Sequence, residues 1–300
     1  MRVEKIGYFV EVARAGSLRA AAARAGIAQS SLGDQITALE EELNVVLIER
    51  TRTGVRLTSA GEELLPYAIR LIDSQRELVD AAAAATGTIA GTVRIGATPM
   101  ITATTVIPVI SALRRLHPNM KVAVREGSSA ELERHVQTGA IDFAITTTPA
   151  APEPQGVTRQ HLNTLPLAAY TPPGHPLGQA PSVDWATLAH TDLITMREGT
   201  TLWHLLHTRI PAPHLVAETE SLHSLCLMVE AGIGVGIGVS LGERTFPPSA
   251  MTGTWVPIEG ESNGIRLHLS RRRGSRLPRA AKLVRDTLAQ HPALFTDGPR

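Results

Sequence analysis

The residues best placed to do chemistry in this sequence bind rather than react. Arg50, Arg52 and Arg56 stand within seven residues around a Thr-Gly pair, in the stretch Glu49 to Leu57. Strand, turn, strand is the expected local structure. Arginines on such a hairpin reach phosphates or a minor groove. Just upstream, Gln29, Ser30, Gly33, Asp34 and Thr37 share one side of a helical period, and Leu32, Ile36, Leu39 and Leu43 form its apolar side. Gln bonds adenine and Ser bonds bases or phosphates, so this small polar face suits a major groove. An ordinary three-helix bundle with a solvated face has the same pattern, and a charged hairpin alone is often only solvated.

A second set of polar residues sits at predicted strand ends and helix starts. Thr98, Ser128, Ser129, Thr147, Thr148, Thr200, Thr201 and Thr219 fall there, with Met100 beside Thr98. Hydroxyls and free backbone N–H groups at such positions suit a small anion or a polar metabolite. The same residues are helix caps first and ligands second.

Other chemistry is weaker. No Ser-His-Asp order or paired carboxylate emerges, so no catalytic residue is assigned and the chain is not expected to be an enzyme. His204, His207, His214 and His223 lie close in sequence, but no acid completes a ligand spacing, so no metal is expected. The glycines of 232–238 lack the Lys-Ser/Thr of a phosphate loop and are expected to end a helix and pass a strand near other backbone. Cys226, the single cysteine, lies beside Leu225, Leu227 and Met228, which predicts a buried thiol and excludes a disulfide framework. Arg271, Arg272 and Arg273, with Arg276 and Arg279, read as a solvated basic surface or an oligomer contact.

The elements that must position these residues follow from composition and period. The chain has 300 residues, enough for two or three globular units. Aromatics are only 3%, so the cores must be aliphatic. The net charge of +1 excludes a uniformly basic coat, and an anionic partner must meet a local patch. Acids interrupt the first apolar stretch and no run reaches a membrane span, so no signal peptide, no membrane partner and a cytoplasmic location are expected.

The chain divides near 87–91, where an alanine run gives way to Gly87 and Gly91. Before the break the signals are helical. Ile6, Phe9, Val10 and Ala13 mark a first helix that Gly16 stops; Ser17 can cap a short second one, Leu18 to Ala25; Gly26 fits the turn to the third. After the basic hairpin, Ser59 to Glu62 fits a capping box opening a helix to about Ala85. Leu64, Leu71 and Leu78 recur at seven, as do Leu65, Ile72 and Val79, with Ala68 between them. Such a seam predicts pairing with a second copy. Packing on the chain's own C-terminal part is the alternative. Pro66 should bend this helix or free a carbonyl.

After the break, short strands alternate with helices. Strands are predicted at 92–97, 121–125, 141–146, 167–171, 192–196, 214–218 and 265–270, and helices at 98–116, 130–138, 202–208, 221–231 and 277–289. The alternation implies βαβ units, with ligands beyond the carboxyl ends of the strands. The strand at 265–270 should return the chain to its first unit.

Residues 4 to 79 resemble the DNA-binding domain and linker helix of the LysR-type transcriptional regulators. The likeness rests on Phe9, Ala13, Gly16-Ser17, Ala21-Ala22, Ala28 to Leu32, Gln35-Ile36, Leu39-Glu40, Leu43, Leu47, Arg50, Leu57-Thr58 and Ala60-Gly61 at fixed spacing. The resemblance implies a winged helix-turn-helix, a dimerising linker helix and a C-terminal effector domain shaped like a periplasmic binding protein, in an α/β fold overall. The sequence departs from that pattern at Gly33 and Asp34, where Ser or Thr and a polar residue or Arg are usual, and at Ala28, Asn44 and Ile48.

The expected organisation is a winged helix-turn-helix over 1–58, a linker over 59–87 and an effector domain over 91–300. Its subdomain I is 91–162 with 267–300, and its subdomain II is 165–264. The expected function is sequence-specific DNA binding in transcription regulation, controlled by a small molecule between the subdomains. Expected partners are double-stranded DNA, an effector with anions among its options, a homodimer or homotetramer, and RNA polymerase in the activating case; no cofactor is expected. Gln29, Ser30, Ser31, Gly33, Asp34, Arg50, Arg52 and Arg56 are the candidate DNA contacts. Leu64, Leu65, Ala68, Leu71, Ile72 and Leu78 are the candidate dimer contacts. The alternative is a small-molecule-binding protein whose DNA recognition is relaxed or lost, which Gly33 and Asp34 raise.

Overall fold

A computed structural model of the chain describes residues 2–52, 54–85, 89, 91–148, 152–239, 252–260 and 264–290. The N-terminal part is helical: α1 (Val3–Ala15), α2 (Leu18–Ala25) and α3 (Gln29–Leu43), then a hairpin of β1 (Ile48–Thr51) and β2 (Gly54–Leu57), then the long α4 (Ser59–Ala85). Gly16, Gly26 and Asn44 close the three short helices in the left-handed conformation, and Ser17 caps α2 by accepting the Ala20 N–H. Phe9, Val10, Ala21, Leu32, Ile36 and Leu39 share one core with Ala68 and Ile69 of α4. Leu43, expected on the apolar side, is exposed instead, at the last residue of α3.

Two of the linker's features differ from expectation. Its cap is Thr58 rather than Ser59: the Thr58 Oγ1 accepts the Gly61 N–H at 3.0 Å and donates to the Val46 carbonyl at 2.6 Å. Gly61 is required there, since a Cβ would stand 2.1 Å from the Leu47 carbonyl oxygen. The apolar residues of α4 also divide between two faces. Ala68 and Ile69 are buried, and Leu64, Leu65 and Ile72 are partly buried against the winged helix. Leu71 and Leu78 stay exposed, with Tyr67 and Val79. α4 continues through Pro66 without a break in its helix.

The C-terminal part forms two five-stranded sheets. The first lobe holds β3 (Gly91–Ala97), α5 (Pro99–Ile101) continuing through a π-helical turn at 102–106 into α6 (Ile107–Leu116), β4 (Met120–Glu126), α7 (Ser129–Gln137), β5 (Phe143–Thr148) and β6 (Val157–Leu165). The second holds β7 (Leu167–Thr171), α8 (Trp185–Leu188), β8 (Leu193–Met196), α9 (Thr201–Arg209), β9 (Leu215–Thr219), α10 (Leu222–Glu230), β10 (Val235–Val239) and β11 (Thr254–Pro257). The chain then returns through β12 (Ile265–Arg272) and α11 (Arg279–Ala289). The sheet orders are β4-β3-β5-β12-β6 and β11-β7-β10-β8-β9. The chain therefore crosses between lobes at Pro166, one residue past the expected 162–165, and again just before Ile265, where 264–267 was expected.

Strand β6 carries no sequence signal of its own. Its ladder to β12 shifts register at Leu267/His268, so its alternation is interrupted, and it is half polar. The glycines of 232–238 do pass a strand close to other atoms: a Cβ on Gly236 would meet Leu225 at 2.2 Å and one on Gly238 would meet Trp255 at 2.8 Å. The arginines at 271–273 are not simply solvated. Arg272 pairs with Asp73 of α4, and Arg273 lies 3.0 Å from Glu153.

Helix α7 is fixed to its sheet by a buried charge. Glu133 is 4% exposed. Arg159 of β6 grips it with two bonds of 2.7 and 2.8 Å, and the Ser270 hydroxyl of β12 donates to it at 2.8 Å. Ser270 in turn bonds Thr146 of β5 at 2.9 Å. Glu133→Ala removes the carboxylate from this buried ion pair and lowers stability by about 3–5 kcal/mol. Urea unfolding of the full chain checks this; a loss under about 1 kcal/mol would place the pair with exposed ion pairs.

Candidate functional sites on the winged helix and in the interlobe cleft

The first turn of α3 is open. Ala28 precedes it with no side-chain cap, so its leading N–H groups are left for an outside acceptor. Gln29, Ser30, Ser31 and Asp34 are exposed beside them. Among the described residues Asp34 makes no hydrogen bond or ion pair. Gly33 is buried, as is Leu32 before it, whereas Asp34 after it is exposed. A Cβ on Gly33 would lie 3.3 Å from Arg50 Nη2. The guanidinium of Arg50, which starts from β1, thus rests on the recognition helix at the one place without a side chain.

The hairpin that carries Arg50 is docked. Val55 donates its N–H to the Gly16 carbonyl at 2.8 Å. A Cβ on Gly54 would meet that carbonyl oxygen at 2.3 Å. The loop between α1 and α2 therefore sets the angle of the wing. Arg50 lies opposite Val55 and Arg56 opposite Glu49 in the ladder. Arg52 and Arg56 are exposed, and Thr53 lies outside the described residues. Of the hairpin's arginines, Arg50 lies against the polar turn of α3, while Arg56, paired with Glu49, projects from the other face of the ladder.

Between the lobes lies a cleft of ≈ 410 Å³. Thr98, Met100, Ser128, Ser129, Thr147, Thr200 and Thr201 all line it. Thr219 does not; its hydroxyl turns to the Ser221 N–H at 3.4 Å and its carbonyl accepts the Arg197 N–H at 2.8 Å. The Thr148 side chain lies outside the described residues. Three residues cap helices and line the cleft at once. Ser128 forms a capping box with Glu131, Thr200 accepts from Trp203, and Ser221 accepts from Ser224.

The lobes touch across this cleft. The Thr201 hydroxyl donates to the Thr147 carbonyl at 2.9 Å, and Thr147 donates its N–H to Ser129 Oγ at 3.0 Å. Sequence reasoning missed the rest of the lining. Leu165, Leu202, Leu222, Val239 and Ile265 supply an apolar wall, because they stand at strand and helix ends that only the folded lobes bring together. Glu126, Glu131, Glu220 and Arg197 supply charge. Hydrogen bonds from the Ser128 backbone and hydroxyl hold the Glu131 carboxyl below the ordinary range, so it is ionised at neutral pH. Arg197 sits 3.4 Å from Glu220. Three carboxylates facing one arginine weigh against a multiply charged anion and favour a ligand with an apolar body.

Elsewhere, Cys226 is fully buried, and burial followed by the Glu230 charge pushes its thiol up to about 12. That is the reverse of an activated thiol. His207 stacks on Trp203 at 4.0 Å, and His214 pairs with Asp192 at 2.8 Å. Among the described residues no group of three or more His, Cys, Asp or Glu could hold a metal ion. Among them also, no helix is long and apolar enough to cross a membrane.

Two family models match the chain. One is the bacterial regulatory helix-turn-helix protein of the lysR family, over residues 3–62, and the other is the LysR substrate binding domain, over residues 86–293. The transcriptional dual regulator GltC of Bacillus subtilis is 31% identical over 267 residues, covering 86% of this chain and 87% of that protein. A probable hydrogen peroxide-inducible genes activator of Mycobacterium avium is 30% identical over 261 residues, covering 86% and 80%. Among solved structures, a full-length OxyR point variant from Pseudomonas aeruginosa superposes with a TM-score of 0.76 at 23% identity, covering 100% of this chain and 99% of that one. Full-length BenM gives 0.58 at 23%, covering 100% of each. These structures share the fold.

Gly33→Ala tests the contact with Arg50. Among the described residues the only neighbour of such a Cβ within 4 Å is the far end of a flexible side chain, so the methyl group is accommodated and mid-helix glycine is relieved. Stability should rise by about 0.5–1 kcal/mol. Thermal unfolding of the full chain measures it, and a loss instead would mean that Arg50 is held in place and cannot yield.

Proposed function

The chain belongs to the LysR family of bacterial transcriptional regulators, with a DNA-binding helix-turn-helix domain and a LysR substrate-binding domain, and from that premise we propose that a small molecule in the interlobe cleft sets its affinity for DNA. The observation that carries this reading is a continuous path from the cleft to the winged helix. Thr201 of the second lobe bonds Thr147, which bonds Ser129 in the first turn of α7. Arg14 of α1 holds the other end of α7, donating to the Thr138 carbonyl at 2.9 Å and the Gly139 carbonyl at 2.5 Å. A ligand that competes for the Thr201–Thr147 contact changes how the lobes close on α7. It does so only as far as it prefers one lobe arrangement over the other.

On the DNA side, the open first turn of α3 and the wing arginines support contact with bases and phosphates by Gln29, Ser30, Ser31, Arg50, Arg52 and Arg56. Arg50 over Gly33 fills the site that a side chain would otherwise take. That favours retained DNA recognition over the relaxed alternative. We assign Leu71 and Leu78 to pairing with a second copy, since they are exposed seam positions, as is Val79. Two winged helices then face two half-sites of one duplex. RNA polymerase is the further partner in the activating case, and the place of action is the cytoplasm, with the DNA. The reading is of a regulator rather than an enzyme. The peroxide response in the mycobacterial relative's name is not carried over to thiol chemistry here, because the chain's single cysteine is buried with a raised pKa.

The test has two arms. Arg50→Ala and Arg52→Ala should each reduce the slope of log affinity against log salt by about one on a genomic fragment that the protein retards. Unchanged slopes would remove the wing from DNA contact. For the coupling, a metabolite that raises the melting temperature of the full chain is first identified. Arg14→Ala should then leave that metabolite binding, while its effect on DNA affinity falls toward none. By linkage, the effect of DNA on metabolite affinity falls by the same factor. An undiminished effect would sink the α7 path.

A further inference from the structure

A crevice of ≈ 570 Å³ opens where the winged helix meets the first lobe. Arg14 of α1, Arg24 of α2, Arg125 of β4, and Arg134 and His135 of α7 line it. Two carboxylates, Glu126 and Glu131, stand at its edge, and Glu131 is already bonded by the Ser128 N–H at 2.9 Å and hydroxyl at 2.8 Å. Arg14 is occupied by Glu11 at 2.5 Å and by the two carbonyls that end α7. Arg125 lies 2.9 Å from His135 Nε2. Among the described residues, the guanidinium groups of Arg24 and Arg134 make no hydrogen bond or ion pair. The wing arginines do not line this crevice.

Four arginines from two domains thus meet fewer carboxylates, Glu126, Glu131 and the Glu11 that Arg14 holds, and positive charge is in modest excess. His135 responds to it: burial, then Arg125 and Arg134, then Arg24 draw its pKa down, and Glu131 offsets them only in part. The imidazole stands neutral at neutral pH and accepts from Arg125. Guanidinium forks match phosphate oxygens in pairs, and their attraction grows where water is partly excluded.

We propose that this crevice is a second ligand site, for a small polyanion of the phosphate class whose oxygens bridge Arg24 of the winged helix to Arg125 and Arg134 of the first lobe. Such a ligand ties the DNA-binding domain to its own effector domain at the end of α7 that Arg14 holds. The crevice shares Glu126 and Glu131 with the interlobe cleft, so the two sites meet at the start of α7. The proposal stands apart from the cleft's ligand, because none of the four arginines lines the cleft.

Isothermal titration of the full-length protein with inorganic pyrophosphate tests it, with inorganic phosphate as the weaker arm. We expect saturable binding at one site per protomer, pyrophosphate ahead of phosphate. Arg24→Gln and Arg134→Gln should each weaken it by about tenfold, the size of one charge-assisted contact. Melting temperature without anion confirms that both variants fold. Their affinity for a retarded genomic fragment, measured without anion, should match the parent's. Binding that does not saturate, or that both variants keep in full, marks an adventitious ion only and overturns the proposal. A weaker, less salt-dependent DNA affinity in Arg134→Gln, with pyrophosphate displacing DNA, would hand the crevice to the duplex backbone and overturn it equally.

Discussion

The ion pair of Glu133 with Arg159 is the constraint on which the rest of the molecule turns. A buried carboxylate with a bidentate arginine and a serine hydroxyl admits one position of α7 on its sheet, since any shift strands a charge away from water. Such a pair contributes less to net stability than to uniqueness of arrangement. Here that uniqueness matters, because α7 is a wall of the interlobe cleft at one end and the seat of the winged helix at the other. Nine residues of helix span only about 14 Å.

The linker helix shows a second division of labour. A heptad of leucines suggests one seam, yet α4 serves two partners. Its Ala68, Ile69 and Ile72 face the winged helix of the same chain, and Arg76 reaches across to Asp142 at 2.9 Å and Asp73 to Arg272 of the first lobe. Among the described residues, Tyr67, Leu71, Leu78 and Val79 are the large apolar side chains of α4 left exposed. Each winged helix is thus bound firmly to its own linker. Any change in the spacing of two winged helices must come from the angle between linkers, or from the joint with the first lobe, rather than from slack within the domain.

Much of this was legible in the sequence, and the failures share a cause. Helix ends and the linker's length were readable because glycines, Ser17 and the alanine run act locally. The strands at 167–171 and 265–272, and the serines and threonines of the cleft, were readable because cap residues and ladder patterns are also local. Strand β6 was not, since its bulge against β12 breaks the alternation. The apolar cleft wall was not either, because Leu165, Val239 and Ile265 look like ordinary strand residues until the crossovers bring their ends together. Likewise Arg14 and Glu133 give no local signal; their partners lie 124 and 26 residues away. Thr219 was misplaced because a hydroxyl at a strand end can turn to its own loop, and here Ser221 takes the cleft position instead.

Gly33 illustrates how a departure from a family pattern becomes intelligible only in three dimensions. In sequence it is a weak point in a recognition helix, with a missing hydroxyl and a flexible backbone. In the fold it is the gap that lets the Arg50 guanidinium lie on the helix. A small polar group at that position is thereby replaced by a charge delivered from the wing. Asp34, one residue on, is exposed and makes no hydrogen bond or ion pair among the described residues. A side chain at position 33 would have to move the arginine aside to restore the usual pattern.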